Sequence, residues 1–163
     1  MSQILVSILM GSKSDWPIMQ EASLLLDQFQ IEHEVRALSA HRTPDALQEY
    51  LQIAQKQGVR VFIAAAGGAA HLPGVIAAST PLPVLGVPIP SSTFVNGLDA
   101  LLSIVQMPAG IPVATFAVGK AGAVNAAIFA AQILGIKYPE YQEALEAHRE
   151  VKRQEVLQNA VIK

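Results

Sequence analysis

Short apolar runs alternate with longer helical patterns along almost the whole chain. Five runs have the length and apolar character of buried strands; they cover residues 4–10, 34–38, 59–65, 84–87 and 113–117. Segments with apolar residues at helical spacing separate or follow these runs; they cover 16–30, 43–58, 72–79, 97–105 and 121–134. This alternation limits the architecture more than any other feature of the sequence.

A chain that alternates strands and helices favours parallel strands joined by right-handed crossovers, with helices on both faces of the sheet. The sequence therefore predicts an α/β fold, a three-layer α/β/α sandwich. Its doubly wound parallel sheet has about five strands, most simply in flavodoxin-like order. No linker and no internal repeat is evident. Residues 1–163 are accordingly predicted to form a single domain that ends in a charged helix at about 139–159.

Two of the helices carry recognisable start signals. Ser14 or Asp15 can cap the helix that begins near residue 16, and Thr43 can cap the helix that follows it. Pro44 occupies the first position of that second helix, where its missing N–H costs nothing.

Charged residues are scarce in the middle of the chain. Only 15% of all residues are charged, and between residues 61 and 135 the only formal charges are Asp99 and Lys120. Such a stretch is either a membrane segment or the buried centre of something larger than one chain. A spanning helix needs about 20 consecutive apolar residues, whereas glycines and prolines interrupt this stretch and its best candidate, 121–136, is short. We therefore predict no membrane segment.

The helix predicted at 121–134 has no polar face, because Asn125 and Gln132 are its only polar side chains. A helix that is apolar all round is covered on all sides. This pattern predicts a homo-oligomer with the helix near a symmetry axis. The alternative is an unusually buried core helix within one chain.

The composition and the first residues exclude further classes of function. The chain has no cysteine, which rules out disulfides and thiolate chemistry and fits a cytoplasmic protein. The start MSQILVS has no basic region or cleavage pattern, so no signal peptide is predicted. A net charge of −2 gives no electrostatic case for binding nucleic acid.

Three polar or glycine-rich segments follow the first three predicted strands: GSKSD (11–15), SAHR (39–42) and AGGAAHLPG (66–74). Ligands of doubly wound sheets bind beyond the carboxyl ends of the strands. Ser12, Ser14 and Ser39 offer small hydroxyls beside helix starts, an arrangement suited to a phosphate. Arg42 adds a fork that can bind phosphate oxygens, unless it only forms a surface salt bridge. Asp15 can accept hydrogen bonds from sugar hydroxyls, besides its capping role.

Two histidines lie in these segments. Histidine is the side chain suited to moving a proton at neutral pH, so His41 is a candidate proton carrier and His71 a weaker one. A structural role is the alternative for a lone histidine, but three convergent segments favour the functional one. His33 and His148 lie among charged neighbours and are predicted to be solvent-exposed.

Several common chemistries lack their motifs. No G-x-G-x-x-G follows the first strand, no G-x-S-x-G elbow is present, and Gly119-Lys120 lacks the first glycine and the hydroxyl of a P-loop. The histidines have no spacing with carboxylates that argues for a metal. The residues alone thus predict a cofactor-free enzyme, or a binding module, for a small phosphorylated ligand.

Long segments of the chain resemble a known family. MGSKSDW (10–16), SAHRTP (39–44), AGGAAHLPG (66–74), PVLGVP (83–88), SIVQMPAGIPV (103–113) and GKAGAVNAA (119–127) are similar to the class I 5-(carboxyamino)imidazole ribonucleotide mutases of purine biosynthesis. The resemblance implies an octamer of α/β/α subunits that moves a carboxyl group from the carbamate nitrogen to carbon 4, without ATP, metal or biotin. No cofactor is expected.

The resemblance also implies residue roles. Ser12, Asp15 and Arg42 are expected to hold the ribonucleotide, with Ser14 and Ser39 nearby. His41 is the expected proton carrier, and His71 is expected across the pocket. Five further substrate contacts are predicted in the same segments: Ala40, Gly67, Gly68, Ala70 and Leu72.

Two alternatives stay open at this stage. The first is the related carboxylase, which takes free aminoimidazole ribonucleotide and carbon dioxide; Lys13 and the Arg42-Thr43-Pro44 sequence favour the mutase class. The second is a non-catalytic nucleotide-binding module on the same fold.

Overall fold

The strands that the structure describes are β1 Val6–Met10, β2 His33–Ala37, β3 Val61–Gly67, β4 Val84–Ile89 and β5 Ala114–Thr115. They form one parallel sheet in the order β2-β1-β3-β4-β5. The structure is a computed structural model that describes residues 3–91 and 95–162. The flavodoxin-like order predicted from the alternation is confirmed.

Helices cover both faces of this sheet. They are α1 Trp16–Gln28, α2 Pro44–Gln57, α3 Leu72–Ser79, α4 Leu98–Val105, α5 Lys120–Gly135 and α6 Pro139–Gln158. Two 3-10 turns, Lys13–Asp15 and Val95–Gly97, precede α1 and α4.

Two apolar cores separate the three layers. On one face α1, α5 and α6 pack against alternate strand residues such as Val6 and Ile8. On the other face α2, α3 and α4 pack against the intervening residues, of which Leu9 and Phe62 are fully buried. Strands buried on both faces read as continuous apolar runs, which is why β1, β3 and β4 were recognisable in the sequence.

The last strand is shorter than predicted. β5 contains two residues instead of the five expected at 113–117, and it pairs only with Leu85 and Gly86 of β4. The next position of β4 on this side is Pro88, whose carbonyl accepts a hydrogen bond from the Gly119 N–H. Pro88 has no N–H to continue the ladder, so regular pairing ends there.

Most of α5 is covered by its own chain. Its buried positions face the sheet, α1 and α6. Ala121, Asn125 and Phe129 lie on the outer face, and Phe129 remains 39% exposed. The single chain thus leaves one face of α5 open, which disfavours the alternative of a helix fully buried within one chain. That further copies of the chain cover this face stays a prediction.

Two histidines are less exposed than their charged neighbours suggested. The side chain of His33 is 8% exposed, since its Nε2 atom lies 2.7 Å from Ser23 Oγ of α1 and its Nδ1 atom donates to the Ile31 carbonyl. The ring of His148 is half-buried and contacts the ring of Phe29 edge-on. Packing of α1 and α6 against the sheet explains both differences.

No helix among residues 3–91 and 95–162 is both long and apolar enough to cross a membrane.

Candidate active site

The carboxyl ends of β1, β2 and β3 meet around one open cavity of about 440 Å³. Because these three strands are neighbours in the sheet, the segment after each strand contributes one wall. The cavity is lined by Gly11, Ser12, Asp15, Ser39, Ala40, His41, Arg42, Ala66, Gly67, Ala69, His71 and Leu72.

The segment after β1 forms a compact cluster of hydroxyls and one carboxylate. Ser12 is the N-cap of the 3-10 turn, and its Oγ atom accepts a hydrogen bond from the Ser14 N–H. Ser14 Oγ lies 2.9 Å from Ser12 Oγ and 3.2 Å from Asp15 Oδ1. Burial raises the pKa of the Asp15 carboxyl, and it outweighs the opposing effects of Ser14, Ser12 and the Arg42 charge.

The segment after β2 is held by its own hydrogen bonds. Thr43 is the N-cap of α2 by position, but its hydroxyl does not cap the helix. Thr43 Oγ1 instead accepts from the Ser39 N–H and donates to the Ser39 carbonyl. Ser39 Oγ in turn accepts from the Arg42 N–H. These bonds form a tight turn that presents His41 and Arg42 at the start of α2.

Arg42 also links the first two segments. One of its terminal nitrogens donates a 2.8 Å hydrogen bond to the Gly11 carbonyl at the end of β1. The guanidinium therefore lies across the gap between the β1 and β2 segments, with other N–H groups left to bind an anion.

The segment after β3 turns sharply into α3. Gly68 adopts a positive φ of 61°, in the left-handed region that favours glycine. Two short backbone bonds follow, from Ala70 to Gly68 and from His71 to Ala69. The turn places His71 at the N-cap of α3, facing the β2 segment.

The two histidines form a hydrogen-bonded pair. His41 Nε2 lies 2.9 Å from His71 Nδ1, and the rings stand nearly perpendicular, with centroids 5.0 Å apart. A hydrogen bond between two ring nitrogens needs a proton on one and a lone pair on the other. The pair therefore shares one proton at this contact.

Nine of the twelve predicted site residues line the cavity: Ser12, Asp15, Ser39, Ala40, His41, Arg42, Gly67, His71 and Leu72. The other three do not line it. Ser14 is exposed and reaches the cavity only through Ser12 and Asp15, Gly68 forms the turn, and Ala70 is 1% exposed in the core beneath α3.

Three lining residues were not predicted individually: Gly11, Ala66 and Ala69. All lie inside the segments 11–15 and 66–74. The Gly11 carbonyl could not be assigned from a side-chain pattern, because it acts through its backbone.

A shallower groove of about 500 Å³ adjoins the cavity and shares Gly11, Ser12, Ser39 and Arg42 with it. Lys13 contributes an exposed ammonium to this groove and forms no ion pair with any residue that the structure describes. The site thus has a polar, cationic side beside the histidine pair. Within the described part of the chain, no group of three or more acidic, histidine or cysteine side chains is arranged to hold a metal.

Comparison with known proteins identifies the family. Residues 5–155 match the family model described as AIR carboxylase. The chain belongs to the AIR carboxylase family. All three segments of the site lie within the matched residues.

Relatives of this AIR carboxylase family member are named N5-carboxyaminoimidazole ribonucleotide mutase. That of Pseudomonas aeruginosa is 57% identical over 95% of this chain and 94% of its own length. That of Pyrococcus abyssi is 59% identical over 89% and 82%. That of Bacillus subtilis is 52% identical over 97% of both chains.

Solved structures agree with the fold of this AIR carboxylase family member. PurE of Treponema denticola superposes with a TM-score of 0.86 at 28% identity and covers 95% of both chains. A substituted PurE2 of the same organism gives a TM-score of 0.87 at 26% identity, over 97% of this chain and 96% of its own.

Proposed function

We propose that this chain is an N5-carboxyaminoimidazole ribonucleotide mutase, an isomerase of purine biosynthesis. It converts the N5-carbamate of the ribonucleotide into the carbon-4 carboxylate. The observation that carries the proposal is the hydrogen-bonded pair of His41 and His71 in a cavity with Arg42 and Asp15. Relatives that are more than half identical over nearly the whole chain bear the mutase name.

The polar side of the cavity holds the phosphorylated ribose. Arg42 keeps free N–H groups after its bond to Gly11, and Ser12 and Ser39 offer hydroxyls beside it. These donors suit phosphate oxygens, while the Asp15 carboxylate accepts from ribose hydroxyls. Fixing the ribonucleotide here leaves the base to reach the histidine pair.

The reaction has three steps. The carbamate C–N bond breaks, carbon dioxide leaves, and a proton from His41 goes to the departing nitrogen. Carbon 4 of the aminoimidazole then attacks carbon dioxide and forms the new C–C bond. Finally His41 removes the carbon-4 proton and restores the aromatic ring. His41 gives one proton to the nitrogen in the first step and takes a different one from carbon 4 in the last, so the proton balance is closed and no redox partner is needed.

Confinement of carbon dioxide is the main task of the protein. Holding two reacting fragments in place is worth up to about 7–11 kcal/mol in well-oriented cases. Ala66, Gly67 and Ala69 give the β3 wall a nearly apolar surface, which suits a small apolar gas. His71 Nδ1 can accept a hydrogen bond from His41 Nε2 when that nitrogen carries a proton, and can donate one when it does not. His71 therefore stabilises both protonation states of His41.

The chain assembles as a homo-oligomer, in this proposal an octamer. Leu98, Leu102 and Val105 form an exposed apolar stripe at helical spacing on α4. Burying this stripe against further copies explains the scarcity of charge in the central segment. Light scattering of the purified protein at micromolar concentration tests this, and a mass of about 17.3 kDa would contradict it.

The chain acts in the cytoplasm in this proposal, where its lack of cysteine fits the reducing milieu.

The decisive assay supplies the carbamate in the absence of ATP and follows the carbon-4 carboxylate. Labelled bicarbonate is present during turnover. We expect product with little label, because the released carbon dioxide is recaptured before it exchanges. Substantial label would favour the carboxylase alternative.

The His41→Asn variant separates an enzyme from a binding module. We expect it to bind the ribonucleotide as the parent chain does, and to lose about 10²–10⁴-fold in kcat, the usual contribution of a positioned acid–base group. Unchanged turnover in this variant would remove His41 from the mechanism.

A further inference from the structure

A buried polar cluster lies away from the cavity, between β1, β2 and α2. Ser7 of β1 and Glu34 of β2 are register partners in the sheet. The hydroxyl of Tyr50, from α2, lies 2.5 Å from Ser7 Oγ and 2.6 Å from Glu34 Oε1. Ser7 is fully buried and Tyr50 is 6% exposed. One helix is therefore tied to two adjacent strands at a single level of the sheet.

The direction of each hydrogen bond follows from the groups involved. An ionised carboxylate only accepts, so the Tyr50 hydroxyl donates to Glu34 and accepts from Ser7. Burial, followed by the bond to Glu34, raises the pKa of Tyr50, so the phenol keeps the donated proton at neutral pH. All polar atoms of the cluster are thereby satisfied.

Arg36 completes the cluster on its outer side. Its Nε atom donates a 2.8 Å hydrogen bond to Glu34 Oε2, and its guanidinium carbon lies 4.6 Å from the centre of the Tyr50 ring. The Glu34 carboxylate is thus held from both sides, with one oxygen on Tyr50 and the other on Arg36. A carboxylate fixed in this way is a rigid acceptor.

The position of this bond in the chain connects it with the site. Glu34 and Tyr50 are 16 residues apart, and Arg42 is the midpoint of the segment that they close. His41 and Ser39 belong to the same segment. The bond joins the strand that enters the segment to the helix that leaves it.

Apart from the hydrogen bond of Arg42 to the Gly11 carbonyl, just before the start of the helix, the other contacts that hold α2 are less directional. Leu47, Leu51 and Ala54 are fully buried, but apolar contacts do not fix the position of a helix along its axis as a hydrogen bond does. Gln48 donates to Ser79 of α3, and this bond is exposed to solvent. Thr43 bonds only within the segment itself.

We propose that the Glu34–Tyr50 hydrogen bond is a positioning element of the site, which sets the height of α2 against the sheet and thereby the places of His41 and Arg42. This inference rests on the proposed function for its kinetic consequence. Its structural consequence, a fixed turn at residues 39–43, does not depend on which reaction the site performs.

Tyr50→Phe is the direct test, because it removes only the hydroxyl. We expect kcat/KM per folded chain to fall about 10-fold, a part of the roughly 100-fold that a displacement of 1 Å can cost. Glu34→Ala should cause a similar loss, and the double variant should lose less than the product of the two single losses, since the Glu34–Tyr50 bond is common to both changes. Glu34→Gln keeps an oxygen that accepts from Tyr50 and should retain most of the activity.

Leu25→Val is the matched control. It destabilises the opposite core, on α1, by trimming a buried side chain, and leaves α2 untouched. Its kcat/KM per folded chain should equal that of the parent chain. A twofold or smaller effect of Tyr50→Phe, or an equal loss in Leu25→Val, would overturn the proposal.

Amide hydrogen exchange gives a readout that needs no substrate. The Thr43 amide donates to the Ser39 carbonyl inside the turn. We expect Tyr50→Phe to accelerate exchange at Thr43 and Arg42 more than Leu25→Val does, relative to the β3 amides. Faster exchange in a chain that lacks mutase activity would leave the positioning role intact and remove the proposed function. Unchanged exchange would remove the positioning role.

Discussion

His41 Nε2 and His71 Nδ1 lie 2.9 Å apart although 30 residues separate them in the chain. The contact exists because β2 and β3 flank β1 in the sheet, so that the segments after them face each other across the end of β1. When one ring nitrogen of this contact carries a proton, the lone pair of the other ring nitrogen accepts a hydrogen bond from it. The proposed mechanism depends on this pairing.

Two substitutions of His71 distinguish the effect of its hydrogen bond from the effect of its ring volume. His71→Ala removes the partner of His41 and should lower kcat by about 100-fold, at the low end of the range for acid–base groups. His71→Asn offers an amide that can still donate or accept, so its loss should be smaller. Steady-state kinetics and direct ribonucleotide binding measure both variants. Equal losses in the two, or a loss of binding alone, would contradict the pairing role.

Arg42 should be sensitive even to a conservative change. The guanidinium bonds the Gly11 carbonyl and still has donors for phosphate, which a lysine ammonium cannot match in geometry. We expect Arg42→Lys to raise the dissociation constant of the ribonucleotide about 10-fold and Arg42→Ala about 100-fold, as for hydrogen bonds to a charged group. Lys13→Ala, beside the same groove, should have the smaller effect. An Arg42→Lys variant that binds normally would place the phosphate elsewhere.

Replacing Asp15 with asparagine should raise the stability of the fold and weaken binding of the ribonucleotide. Its pKa is raised above the ordinary 3.8, mainly by burial, so the folded chain disfavours the ionised form. The stability that this group contributes is present below pH 3.8 and is lost as the pH rises through the raised value. Asp15→Asn should therefore melt at a higher temperature than the parent chain at about pH 7, with the difference vanishing below pH 3.8.

The same Asp15→Asn variant should bind the ribonucleotide about 10-fold more weakly, because an amide accepts less strongly from ribose hydroxyls than a carboxylate does. Melting curves from about pH 3 to about pH 8 and a binding titration test the pair of effects. A melting difference that grows as the pH falls would show that the sign is wrong.

Gly122 tests packing against helix propensity. It lies in the first turns of α5, where alanine would ordinarily be preferred. A Cβ atom at Gly122 would lie 1.7 Å from the Ala117 carbonyl oxygen, which is backbone and cannot simply rotate away. Gly122→Ala should therefore lower the free energy of unfolding by about 1–3 kcal/mol, the usual cost of overpacking.

Asn125→Ala is the control on the exposed face of the same helix. It should raise the free energy of unfolding by a few tenths of a kcal/mol, since alanine has the higher helix propensity. Urea unfolding measures both variants. A stabilised Gly122→Ala variant would mean that the turn before α5 moves to admit the methyl group.

The alternation of apolar runs and helical patterns was enough to predict the order of the sheet. α3 begins and ends at the predicted residues, 72 and 79, and α2 ends before Gly58, which has a left-handed φ of 112°. These features depend on neighbouring residues along the chain, through periodicity, proline and glycine. Burial of His33 against Ser23 of α1 was missed, because that contact depends on packing between elements.

The sequence by itself determined which elements form and which polar segments follow the strands, because backbone preference and apolar periodicity act over a few residues. Only the tertiary structure decided that Thr43 bonds Ser39 rather than its own helix, that Arg42 bridges to the Gly11 carbonyl, and that Tyr50 ties α2 to two strands. For each of these bonds, other donors or acceptors of the same chemical type occur in the chain. The distance set by the packed sheet selects among those partners, and that distance is absent from any local stretch of residues.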